Sequence, residues 1–140
     1  MQFYTTLFGV VALGLGTVVF LLANIFGVGV SDAKAKKIAS AISGGAMTFL
    51  REEYKVIALV VSILAFGIGY FVSLIPALLF GAGAVLSMVT GFVGMQAATA
   101  ANVRTTMAAK NKGEYAAFMT AFFGGGVMGF AVATFGLLGV

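Results

Sequence analysis

VIALVVSILAFGIGYFVSLIPALLFGAGAVLSMVTGFVGMQAATAANV, residues 56–103, carries no charged side chain. A helix needs roughly 20 apolar residues to cross the hydrocarbon layer, so this run is too long for one crossing and suits two. The interruption is expected at Ser73–Pro76. Proline loses a hydrogen bond inside a helix but fits its first turn. Tyr70 and Phe71 stand where aromatic rings meet lipid headgroups. The run divides into spans at about 56–73 and 77–100.

On its N-terminal side lies a charged segment: Asp32, Lys34, Lys36 and Lys37, then Arg51, Glu52, Glu53 and Lys55. Before it, the uncharged Met1–Ser31 supplies a span at about 3–30. No Lys or Arg precedes that run, and it is longer than a signal-peptide core, so a retained span is expected rather than a cleaved leader. On the C-terminal side Arg104, Lys110, Lys112 and Glu114 form a second charged segment. Tyr115–Val140 then supplies a span at about 115–139. The expected fold class is all-α integral membrane: four transmembrane helices in a single unit 1–140, the second one extended into the cytoplasm. Composition agrees, with 61% apolar and 9% charged residues where soluble domains carry about a quarter charged. The 20 glycines and single proline suit helices whose backbones approach closely in lipid.

The segment 31–55 is expected to be helical. Ser31 reads as its N-cap, with Asp32 favoured by the helix dipole, and Ile38, Ile42, Phe49 and Leu50 recur at helical spacing. It is too short to cross a membrane by itself and reads as a partly wet amphipathic lead into the second span. A continuous helix from Ser31 to Val72 would reach roughly 60 Å, and Gly44-Gly45 is a candidate bend. All eight basic and four acidic residues fall in 31–55 or 101–114, two crossings apart, so both segments share one side. Each nets +2, and the positive-inside rule makes that side cytoplasmic, with both termini opposite.

Several function classes are excluded. With no Cys and no His, disulfides, thiolate sites and imidazole catalysis are impossible within this chain. The basic balance flanks apolar spans, so it is read as membrane orientation, with no nucleic acid as partner. No ionisable residue lies deep in an expected span, which disfavours a small independent transporter. Small residues at Gly83, Ser87, Gly91, Gly94 and Ala98, and the GxxxG of Gly125 and Gly129, are candidate helix-packing positions, with a pore lining as the alternative. The carboxylates Glu52 and Glu53 suggest metal, but adjacent helical positions diverge, and Arg51 and Lys55 neutralise them as a solvated charged turn. Arg104, beside Thr105 and Thr106, is a candidate for phosphate or, more simply, for interfacial anchoring on the cytoplasmic face. Gly124-Gly125-Gly126 lacks the Lys and Ser or Thr of a phosphate-cradling loop.

Three stretches resemble the start of the membrane-bound, ion-translocating inorganic pyrophosphatases. Ile38 through Lys55 is similar to an I-x-x-G-A-x-x-(F/Y)-L run followed by charges and Tyr-Lys. Gly94-Met95-Gln96-Ala97-Ala98-Thr99-Ala100-Ala101-Asn102-Val103-Arg104-Thr105-Thr106 resembles G-M-x-x-A-T-x-A-N-V-R-T and is the most specific. Ala121 through Gly129 resembles A-F-x-G-G-x-V-M-G. Gly44 and Phe123 depart from the family's usual residues. The likeness covers nearly the whole chain and about the first fifth of the family's length. It implies the N-terminal outer-helix portion of a pump that couples pyrophosphate hydrolysis to H+ or Na+ transport. The family's Asp-rich motifs are absent here, so no catalytic, cofactor-binding or metal-binding residue carries over, and this chain alone is expected to be inactive. The resemblance further implies Mg2+ in the complete enzyme, with K+ as an optional second ion and neither bound by this chain. The implied partners are the lipid bilayer, the remaining helices of the parent pump, pyrophosphate, and a second copy in a homodimer. The alternative reading is a stand-alone four-helix scaffold or assembly subunit.

Overall fold

A computed structural model describes residues 2–139. Four helices follow one another: α1 (Gln2–Phe26), α2 (Ala33–Phe71), α3 (Leu74–Lys112) and α4 (Glu114–Leu138). Each is long and apolar enough to cross a membrane. In lipid this is the economical solution, because a helix satisfies its backbone polar groups internally. The hydroxyls follow the same rule. Thr17, Thr48, Ser62, Thr90 and Thr120 each donate to the carbonyl four residues earlier, which lets polar side chains sit in apolar helices.

The connections are short. Between α2 and α3 lie only Val72 and Ser73, and Pro76 falls inside the first turn of α3, where its missing N–H costs nothing. A single residue, Gly113, joins α3 to α4 with φ 87°. That left-handed conformation is cheap for glycine and strained for other residues. At the start of α2 the N-cap is Asp32, not Ser31: its carboxylate accepts from the backbone N–H of Lys34 and Ala35. A carboxylate both fills two orphan donors and meets the positive helix end, which a hydroxyl does less well.

Two helices are longer than a bilayer needs. At 39 residues each, α2 and α3 run about 58 Å, nearly twice the hydrocarbon thickness. α2 continues unbroken through Gly44 and Gly45, and α3 absorbs residues 101–112 into the same helix as the expected third span.

Packing proceeds in order α2–α3–α4–α1, with α1 also touching α3; among the described residues α2 contacts α3 alone. On α1, Leu7, Val11, Gly14, Val18, Leu21 and Ile25 form the buried or half-buried stripe, alternating by four and three as in a coiled-coil seam. Val18, Leu21, Ile25, Ala97, Val127 and Ala131 make the core where α1, α3 and α4 meet. Lipid is as apolar as these side chains, so the core is held by close van der Waals fit rather than by escape from water. The glycines show where that fit is tightest. A Cβ at Gly124 would stand 2.6 Å from the Ala101 Cβ, one at Gly126 3.2 Å from Leu21, and one at Gly14 would overlap the Thr134 hydroxyl.

Candidate functional site

The charged side chains gather in two tiers. The upper tier lies where α1 ends, α2 begins and α3 meets α4. Asp32 there turns its second carboxylate oxygen to Lys110, 3.5 Å away, tying the α1–α2 link to the last turn of α3. The two backbone N–H donors, first that of Ala35 and then that of Lys34, hold the Asp32 carboxyl below its ordinary range, with Lys110 adding to the effect. Arg104 turns back onto the bundle: one guanidinium nitrogen donates to the Ala100 carbonyl at 2.9 Å, and the group lies 4.5 Å above the Phe26 ring. Its Nε is buried with no hydrogen-bond partner. This geometry serves an α1–α3 clamp more directly than a phosphate cradle with Thr105 and Thr106. The Thr106 hydroxyl is already committed to the Asn102 carbonyl.

The lower tier is the quartet Arg51, Glu52, Glu53 and Lys55 on the outer side of α2, all exposed. Lys55 and Glu52 pair at 2.7 Å. Their neighbour Tyr54 points the other way, into α3, where its hydroxyl donates to the Met88 carbonyl. Gly91 makes that reach possible, since a Cβ there would stand 3.1 Å from the same hydroxyl. The quartet is therefore level with Met88–Gly91, about 20 Å along α3 from Arg104. Lys34, Lys36, Lys37, Arg104, Lys110 and Lys112 against Asp32 and Glu114 leave the whole net charge of +4 at the upper tier, and the quartet sums to zero.

The small-residue positions divide. Gly94 lies under Met128, with a Cβ there 3.0 Å from its side chain, and Gly91 receives Tyr54. A side chain at Gly83, Gly125 or Gly129 would meet nothing within 4 Å. Gly83, Ser87, Thr90, Gly91, Met128 and Val132 line an open groove of about 450 Å³ between α3 and α4, and Ala98 and Gly125 border a second one further along. The sequence did not single out Gly14, Gly124, Gly126, Tyr54 or Phe26 as helix-packing positions. The four-three stripe on α1 was the available signal for Gly14. For the others the partner helix had to be known.

The donor set does not fit a resident Mg2+. Among the described residues no three Asp or Glu side chains converge; Asp32 is engaged as a cap and Glu52 with Lys55. No chemical step through that ion is assigned to these residues.

Comparison with known proteins places these helices among relatives. The family profile described as inorganic H+ pyrophosphatase matches residues 12–140. A putative K(+)-stimulated pyrophosphate-energized sodium pump of Clostridium tetani is 37% identical over 127 residues, covering 90% of this chain and 18% of its own length. The K(+)-stimulated pyrophosphate-energized sodium pump of Thermotoga maritima is 40% identical over 108 residues, 76% of this chain and 15% of the relative. A K(+)-insensitive pyrophosphate-energized proton pump of Caldanaerobacter subterraneus is 30% identical over 153 residues, 99% of this chain and 21% of the relative. The chain thus spans about a fifth or less of the length of these relatives.

Proposed function

This chain belongs to the inorganic H+ pyrophosphatase family, and on that premise we propose that it forms the N-terminal, outer four-helix portion of a pump coupling pyrophosphate hydrolysis to H+ or Na+ transport. It is a multi-pass integral membrane protein. The observations that support the proposal are the family match across residues 12–140 and the small share of the relatives' length that the chain covers, 15–21%. The reacting groups, and the Mg2+ or K+ they use, then belong to the remaining helices of the longer protein, which works as a homodimer. The role of α1–α4 is to pack against those helices and set their depth. The charged tiers face the cytoplasm, because cationic residues are retained on that side during insertion.

A chimera tests this. The matched segment of the Clostridium tetani relative is replaced by this chain, and pyrophosphate hydrolysis and ion uptake are measured in vesicles. Both activities are expected to persist, while this chain expressed alone hydrolyses no pyrophosphate. Turnover by the isolated chain, or a chimera that inserts and folds yet hydrolyses nothing, refutes the reading.

A further inference from the structure

We propose that the outer side of α2 at Arg51, Glu52, Glu53 and Lys55 is an internal contact of the longer protein, covered by helices that bring a cation to Glu53 and a carboxylate to Arg51. The inference rests on the pump reading above and specifies which surface of these four helices the remaining ones pack against.

Depth is set by the contacts between helices. Tyr54 donates to the Met88 carbonyl. Gly94 lies against Met128, and six residues from that contact the antiparallel α3 and α4 bring Met88 level with Thr134. Thr134 in turn packs on Gly14, the midpoint of α1 (Gln2–Phe26). The quartet around Tyr54 therefore stands level with the middle of an uncharged span. A hydrocarbon layer of about 30 Å centred there reaches about ten residues each way along α3, from Leu78 to Ala98. Arg104 falls just past one edge, within reach of the headgroups. Tyr70 and Phe71 fall at the other, since their neighbour Gly69 meets Ala77, and aromatic rings favour that zone. One layer thus fits α1 and both edges, and it leaves the quartet inside. On the pump reading the upper tier emerges on the cytoplasmic side, and the quartet reaches that side only along protein.

Ionised groups at such depth are costly against acyl chains, so they pair with one another or face the interior of a bundle. Pairing within the quartet settles half of it, Lys55 with Glu52 at 2.7 Å. Among the described residues neither Arg51 nor Glu53 has an ion-pair partner. They point about 160° apart around the helix, on opposite flanks of α2, so they do not satisfy each other. This side of α2 is open: among the described residues α2 packs on α3 alone, and all four side chains are exposed. The covering groups come from elsewhere, and the relatives have the length to supply them, since the chain covers 15–21% of it. A twofold contact with a second copy would cover one face. Arg51 and Glu53 call for neighbours on both flanks, which surrounding helices of the same subunit provide.

The chimera described above provides the test. Photoreactive benzoylphenylalanine replaces Glu53, vesicles in which the chimera hydrolyses pyrophosphate are irradiated, and the adducts are identified by mass spectrometry. The expected main adduct is with peptide of the same subunit outside the replaced segment. An adduct with lipid alone or with a second copy alone overturns the proposal, as does none, the result for a side chain standing in water. Glu53→Gln gives a second reading without the bulky probe. It leaves the covering cation unpaired, so the half-life of hydrolysis at a fixed elevated temperature is expected to shorten about tenfold. Arg51→Gln is expected to act in the same direction. An unchanged or longer half-life for both variants overturns the proposal, because taking a charge out of lipid stabilises. Failure of the pump reading looks different: the parent chimera then inserts and folds yet hydrolyses no pyrophosphate.

Discussion

Gly124→Ala is the sharpest test of how α3 and α4 are held together. The added methyl would sit 2.6 Å from the Ala101 Cβ, whereas carbon atoms settle at about 3.5–4.0 Å. Neither group has a torsion that relieves the overlap, so the helices must part by roughly 1 Å at a point where both residues are buried. Overpacking of this kind costs about 1–3 kcal/mol. Alanine returns about 1 kcal/mol of helix propensity over glycine, leaving a net loss of up to about 2 kcal/mol and a deficit of about 1–3 kcal/mol against an alanine placed in open space. The neighbouring Gly125→Ala has open space, so it carries the propensity gain alone and is expected to be neutral or stabilising. Unfolding by titrated SDS in mixed micelles, followed by far-UV circular dichroism and by energy transfer between labels on α3 and α4, measures both. Ala101→Gly combined with Gly124→Ala should recover most of the loss. If Gly124→Ala is as stable as Gly125→Ala, or if Ala101→Gly gives no rescue, the close approach at this crossing is wrong.

Tyr54→Phe removes the hydrogen bond to the Met88 carbonyl and is expected to cost about 1 kcal/mol. Gly91→Ala should be less damaging in the Tyr54→Phe background than alone, a non-additivity that a double-mutant cycle in the same SDS assay detects. Phe26→Leu removes the ring under Arg104 and should cost about 0.5–1 kcal/mol, with faster amide exchange over the last turn of α1. The folded-state acidity of Asp32 is increased by its cap, so its contribution is full at neutral pH and is lost as pH falls through a value below the ordinary aspartate range. Amide exchange at Lys34 and Ala35, corrected for intrinsic rates, should accelerate only there, and Asp32→Ala should accelerate it at neutral pH too.

Much of this was legible in residue order. The charge-free run 56–103 demanded two crossings whatever its partners, because transfer of so many apolar residues to lipid outweighs any local alternative. Gly94 and Gly91 were readable as sites of close approach because small residues recur along α3. Which glycine of the Gly124–Gly126 triplet meets α3 was not readable: it depends on the rotation of α4 about its axis, set by the fit of Val127 and Ala131 against α1 and α3. The cap at Asp32 rather than Ser31 likewise turned on one residue of helix register, to which periodicity is blind.

Chain order by itself determined four apolar helices and the grouping of every charge into two stretches, because hydropathy acts residue by residue and needs no neighbour. Tertiary structure decided how those charges add up. By sequence the two stretches carry +2 each. Folding brings the start of α2 beside the end of α3, so one end of the bundle holds +4 and the quartet near Lys55 holds none. That sum depends on distances between residues far apart in the chain, and only the packed helices supply them.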